Sequence, residues 1–104
     1  MKYRAVPRFK RSYKRLKKKH YPVELIMYCL GAIIENDEDV MQRIKVHALN
    51  GTWKGYSEFH PGRYSNVGRD YDNWIVVYRV DNEELVLVLI DTGQHDILKT
   101  RSRD

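Results

Sequence analysis

Between Phe9 and His20 the apolar positions Phe9, Tyr13 and Leu16 recur three and four residues apart, and Lys and Arg fill the faces between them. This spacing predicts an amphipathic helix over residues 8–19, with Pro7 in its first turn, where a missing N–H leaves no hydrogen bond unmade. The Lys17-Lys18-Lys19-His20 run suits the negative end of the helix dipole. Pro22 opens a second helical pattern, in which Val23, Ile26, Met27, Leu30, Ile33 and Ile34 form one wide apolar stripe that ends at Asn36-Asp37. Two helices joined by a tight turn predict an αα-hairpin, and residues 37–43 predict one further short helical turn. Ahead of both, residues 2–6 predict an edge strand.

After Gly51 the period changes to two. Residues 53–60 and 74–80 predict strands, the latter rich in β-branched and aromatic side chains. Asp81-Asn82-Glu83-Glu84 predicts a turn and residues 85–91 a third strand, so the last two strands form a hairpin. The third run is apolar on both faces, which predicts an interior strand covered on both sides. Residues 61–73, rich in Gly, Asn, Asp and Ser, predict a long loop, and loops of that length in small domains tend to be functional or mobile. Residues 100–104 predict a frayed tail. The order strand, helix, helix, then sheet places the chain in the α+β class: an N-terminal αα-hairpin packed on a curved antiparallel β-sheet, in one domain over residues 1–104.

Composition narrows the function classes. With 42% hydrophobic and 32% charged residues the chain is globular rather than disordered. The longest aliphatic run, Leu85 to Ile90, is far too short to span a bilayer, and no apolar stretch of a signal peptide follows the basic N-terminus, so the expected location is the cytoplasm, with no membrane partner. The single cysteine, Cys29, excludes an internal disulfide and a cysteine-based zinc site, and its apolar helical context predicts burial. The net charge is +5, and residues 1–20 hold ten of the nineteen Lys and Arg with no acid among them. Such a block attracts RNA phosphates or an acidic protein segment. Lys10, Arg11, Lys14, Lys17 and Lys18 are its candidate contacts.

Candidate chemistry is sparse. There is no Gly-x-Ser-x-Gly, no glycine-rich phosphate loop, no calcium loop and no histidine pair at metal-ligand spacing, so no metal or cofactor is expected. Histidines remain, at strand ends and before the sheet, together with tryptophans, tyrosines and the basic block. Metal-free RNA cleavage uses such a set. A base takes the 2′-OH proton, an acid protonates the leaving 5′-oxygen, and a cation steadies the phosphorane; histidine as a residue type serves the first two roles near neutrality. His60 ends a predicted strand whose same-face neighbours are Lys54, Tyr56 and Glu58, a polar face suited to phosphate. Lys54 and Arg79 are candidate phosphate cations, and Trp74 is a candidate stacking platform for an unstacked base, whereas Trp53 fits the core better. In the long loop Arg63, Tyr64, Arg69 and Tyr71 alternate cation and aromatic, a composition that suits RNA.

The stretch His47-Ala48-Leu49-Asn50-Gly51-Thr52-Trp53-Lys54-Gly55-Tyr56, then His60, then Trp74-Ile75-Val76-Val77-Tyr78-Arg79, then Asp91-Thr92-Gly93-Gln94-His95, resembles the YafQ branch of the RelE-like mRNA interferases. The resemblance covers about half the chain and implies a RelE-like fold, ribosome-dependent and metal-independent cutting of mRNA in the ribosomal A site, contact with rRNA, and neutralisation by an acidic antitoxin. It puts His95 at the family's essential acid/base, His60 and His47 at its other active-site histidines, and Trp74 at its active-site tryptophan. The family has Asp directly before that tryptophan, where this chain has Asn73, with Asp72 one step earlier. Asp72 is therefore the expected supporting carboxylate and Asn73 a substrate contact. Lys99 stands where the family has Phe, and the 61–73 loop is longer than the family's. The alternative reading is a basic RNA-, ribosome- or partner-binding module of the same fold without catalysis.

Overall fold

The computed structural model describes residues 2–99. The chain runs β1 (Lys2–Ala5), α1 (Pro7–Lys18), α2 (Leu25–Ile34), α3 (Glu38–Arg43), β2 (His47–Ala48), β3 (Ser57–Phe59), β4 (Trp74–Asp81) and β5 (Val86–Gln94). Short 3₁₀ turns lie at Gly51–Trp53, Pro61–Arg63, Arg69–Tyr71 and His95–Lys99. Local signals explain most boundaries. Pro7 stands in the first turn of α1, and Arg15, Lys17 and Lys18 occupy its last turn. Asn36, at φ 57°, turns the chain out of α2, and the Asp37 carboxylate accepts a hydrogen bond from Val40 N–H to cap α3.

The sheet order is β1-β5-β4-β3-β2, and every neighbouring pair is antiparallel except β1 with β5, which is parallel. The sheet is therefore mostly antiparallel, as the sequence predicted, with one parallel pair at its β1 edge. β1 pairs with the strand most distant from it in the chain, and a short local pattern carries no information on partner or direction.

α1 and α2 cover one face: Phe9, Leu16, Ile26 and Leu30 share a core with Trp74, Val76, Tyr78, Leu87 and Leu89. Beneath α1 the buried Asp91 carboxylate accepts from Arg8 Nε at 2.9 Å and from Ser12 Oγ at 2.5 Å, which ties the helix to β5. On the other face Ile75, Val77, Val88 and Ile90 lie under Trp53, with Ile97 and Leu98 beside them. β4 and β5 thus have two buried faces, which is why their sequences lose strict alternation. Cys29 is buried in the helix-side core, and burial pushes its thiol up to about 12, against the opposing charge of Arg43.

Two expected elements differ. The strand predicted over 53–60 shrinks to Ser57–Phe59, because Gly51 and Gly55 take positive φ (63° and 95°) and curl the chain before it. Trp53 leaves the strand to donate its Nε1–H to Leu98 O at 2.8 Å. The 61–73 loop is built rather than open: Tyr64, Val67 and Tyr71 pack on the helix-side core. A side chain at Gly62 would overlap the backbone oxygen of Tyr71. The expected tail at 100–104 lies outside the described residues.

Candidate active site

Glu58, in the middle of the three-residue β3, pairs with His47 of β2 on one side and Val77 of β4 on the other. Directly paired residues share a face, so Glu58 and His47 stand on the face of Ile75 and Val77, away from α1 and α2. His60, two residues after Glu58, keeps that face. His95 follows the end of β5, where Gly93 opposes Ile75. A side chain at Gly93 would collide with Ile97, so the glycine lets the last 3₁₀ turn fold back over the sheet.

Three imidazoles meet on one oxygen. Glu58 Oε2 lies 3.0 Å from His60 Nε2, 3.2 Å from His95 Nε2 and 3.5 Å from His47 Nε2. Access divides them: the side chains of Glu58 and His60 are 3% and 8% exposed, those of His95 and His47 44% and 52%. The remaining ring contacts divide them again. His60 Nδ1–H donates to Asp72 O at 3.0 Å, so both of its nitrogens are engaged. His47 Nδ1–H donates to Lys45 O at 2.8 Å, which leaves its Nε2 facing Glu58 Oε2. Burial pushes the Glu58 carboxyl up, but hydrogen bonds from His60 and His95 and the charges of His95 and His47 outweigh it and hold the group below the ordinary carboxylate range. The result is a buried carboxylate ringed by three imidazoles, two of which, His47 and His95, are open to solvent.

The residues predicted from sequence fall into place unevenly. His47, His60 and His95 converge. The carboxylate beneath them is Glu58, not Asp72, which reaches the cluster through its backbone carbonyl alone. Strand alternation had put Glu58 on the face of His60, but its pairing with His47 and its contact with His95 are not visible in the sequence. Trp74 is fully buried and donates Nε1–H to Thr92 Oγ1 at 2.8 Å, so it is a core residue and not a stacking platform. Lys54 is exposed and lies outside β3, so the shared-face argument for it fails. Arg79, two residues beyond Val77 on β4, does share the face of Glu58 and is half-buried. Asn73 is exposed just before β4. Lys10, Arg11, Lys14, Lys17 and Lys18 are exposed along α1, on the opposite side of the sheet from the histidines. Spacing along the sequence showed no metal-ligand set, yet folding brings ligand atoms of Glu58, His60 and His95 within 4.8 Å of one another.

Glu58→Gln tests the cluster through pH. A carboxylate held below its unfolded value of about 4.3 stabilises the fold above that pH, and the contribution is lost as pH falls through the depressed value. Wild type is therefore expected to be more stable than Glu58→Gln at neutral pH, and thermal unfolding between pH 7 and pH 3 should show that advantage shrinking below about pH 4. Parallel profiles for the two proteins would mean that the carboxylate is not paired.

A family model described as a bacterial toxin of type II toxin–antitoxin systems, YafQ, matches residues 1–100. No curated protein matches the chain. Among solved structures, YafQ from E. coli strain BL21(DE3) superposes with a TM-score of 0.71 at 22% identity, over 94% of this chain and 97% of that one. The E. coli DinJ–YafQ complex gives 0.69 at 23% identity, over 94% and 97%. A metal-bound toxin from Helicobacter pylori gives 0.75 at 21% identity, over 94% and 98%. These likenesses establish the architecture: helices on a mostly antiparallel sheet of the YafQ and RelE-like kind.

Proposed function

The chain belongs to the YafQ family of type II toxin–antitoxin toxins, and from that premise we propose that it cuts mRNA in the ribosomal A site by metal-independent acid–base catalysis and is silenced by an acidic antitoxin. The observation that carries the reading is the meeting of His47, His60 and His95 on the buried Glu58. His47 Nε2 takes the proton of a ribose 2′-OH, the 2′-oxygen bonds to phosphorus, the P–O5′ bond breaks, and His95 protonates the departing 5′-oxygen, leaving a 2′,3′-cyclic phosphate. Glu58 holds His95 in orientation and balances its cation, and His60 sits behind them as a positioning residue. Arg79, on the same face of the sheet as Glu58, is the candidate cation for the charge that builds on phosphorus. No helix among the described residues is long and apolar enough to cross a membrane, and a ribosomal substrate puts the site of action in the bacterial cytoplasm.

The test is cleavage of a defined mRNA, with and without translating ribosomes, with mapping of the ends. Cyclic or 3′-phosphate ends that appear only with ribosomes, and persist with a transition-metal chelator at fixed magnesium, are expected. Ribosome binding without cleavage would select the non-catalytic module instead. A metal reading has its own support in the donor set of Glu58, His60 and His95 and in the metal-bound state of the Helicobacter pylori toxin. A bound ion would take up imidazole nitrogens that the acid–base scheme needs free, so loss of cleavage in the chelator would favour it.

The antitoxin is a proposal by likeness to the E. coli DinJ–YafQ complexes. The cations of α1 suit both an acidic antitoxin segment and rRNA. Reversing Lys14, Lys17 and Lys18 to Glu is expected to weaken ribosome association, to flatten its salt dependence, and to slow antitoxin association more than it speeds dissociation. Binding across a salt series measures this, and unchanged affinities and slopes would reduce α1 to a solvated face. Because α1 lies across the sheet from the histidines, an antitoxin seated on α1 alone would leave them open.

A further inference from the structure

Beside the histidine cluster, linked to it by the His60–Asp72 hydrogen bond, the 61–73 loop borders an open cavity of about 340 Å³ lined by Arg43, Arg63, Arg69, Gly62, Gly68 and Asp72 among others. The three guanidinium groups come from three places: the last turn of α3, the Pro61–Arg63 turn and the Arg69–Tyr71 turn. Asp72 is the single acid in the lining, so the cavity carries a surplus of two positive charges. Among the described residues no carboxylate lies within ion-pair distance of any of the three arginines. Arg43 rests over the Tyr64 ring instead, at 5.5 Å from its centroid. Arg63 Nε is buried and has no hydrogen-bond partner among the described residues. A buried donor without an acceptor, among cations without counter-charges, is the chemistry that favours an anion.

Its position names the anion. Gly62 stands two residues from His60, and Asp72 both lines the cavity and fixes the His60 ring. We infer that an RNA strand whose reacting phosphate meets His47 and His95 runs along this edge, and that the arginine cavity is a subsite for a backbone phosphate flanking the one that is cut. The inference rests on the nuclease reading for the identity of the strand, while the anion site itself does not depend on cleavage.

The experiment uses the whole chain and two probes: inorganic phosphate, followed by backbone amide shifts, and a short 2′-O-methyl RNA that cannot be cleaved, followed by affinity across a salt series. Phosphate should move the amides of residues 62–69 in wild type and in His95→Ala. Arg69→Ala, an exposed position that should leave the fold intact, should weaken both probes about tenfold, the loss of one charge-assisted contact. It should also lower the salt slope for RNA by about 0.7, the value for one phosphate on a single strand. Silence of those amides, or an equal response in Arg69→Ala, would overturn the anion site. A phosphate response lost in Arg69→Ala, with RNA affinity and slope unchanged, would overturn its assignment to RNA. If both probes behave as expected and the wild type cuts no mRNA, the subsite stands and the catalytic reading fails.

Discussion

His95→Ala is expected to remove toxicity and to lower mRNA cleavage by about 10²–10⁴-fold, the contribution of one positioned acid or base, equivalent to roughly 3–5 kcal/mol of barrier. The fold should survive. The His95 side chain is 44% exposed, and it meets the interior through a 3.2 Å hydrogen bond to Glu58 and the tilted ring of His60. Growth after induction, mRNA end mapping and a thermal melt together measure this. A folded, well-expressed His95→Ala protein with wild-type toxicity would take His95 out of the mechanism. The same truncation at His60 should behave differently, lowering stability along with activity. That ring is buried and joins Glu58 to the backbone of Asp72, so its removal opens a cavity, takes one hydrogen bond from Glu58 and leaves Asp72 O without this one.

Trp74→Ala is expected to lower stability by about 3–5 kcal/mol, the range for emptying a large buried aromatic site. The indole is fully buried, stands edge-on to Tyr21 and Tyr71, and donates to Thr92 Oγ1. In a domain whose whole margin is of order 5–15 kcal/mol, that loss should show as a lower denaturant midpoint and a reduced folded fraction. Trp74→Phe separates the roles. It keeps most of the ring volume, so per folded molecule its cleavage should match wild type within a few-fold. A tenfold or larger fall in that specific activity, with the fold intact, would mean that Trp74 touches RNA after all.

The helices were legible because their signals are local. Pro7, the basic end of α1 and the Asp37 cap act within a turn of the backbone they shape, and α1, α2 and α3 lie within a few residues of where the periodicity puts them. The β4–β5 hairpin was legible for the same reason, since the Asp81 carboxylate accepts from the N–H groups of Glu83 and Glu84 inside the turn itself. β3 was overdrawn because alternation cannot register the positive φ of Gly51 and Gly55. The built form of the 61–73 loop was hidden because its order comes from Tyr64, Val67 and Tyr71 packing on a core contributed by other elements.

The sequence by itself determined the α+β class, the concentration of cations on the first helix, and, through motif order, which histidines form one cluster. What each histidine can do was decided by tertiary structure. Glu58 is 11 positions from His47 and 37 from His95, and strand register with the last 3₁₀ turn brings both to one carboxylate oxygen. Burial then sets His60 apart from its exposed partners, and sends Trp74 into the core although its neighbourhood in sequence pointed to RNA. The physical reason is common to all of these. Periodicity reports which face of an element is apolar, whereas a site depends on which elements lie side by side, in what register, and how deeply each side chain sits once they do.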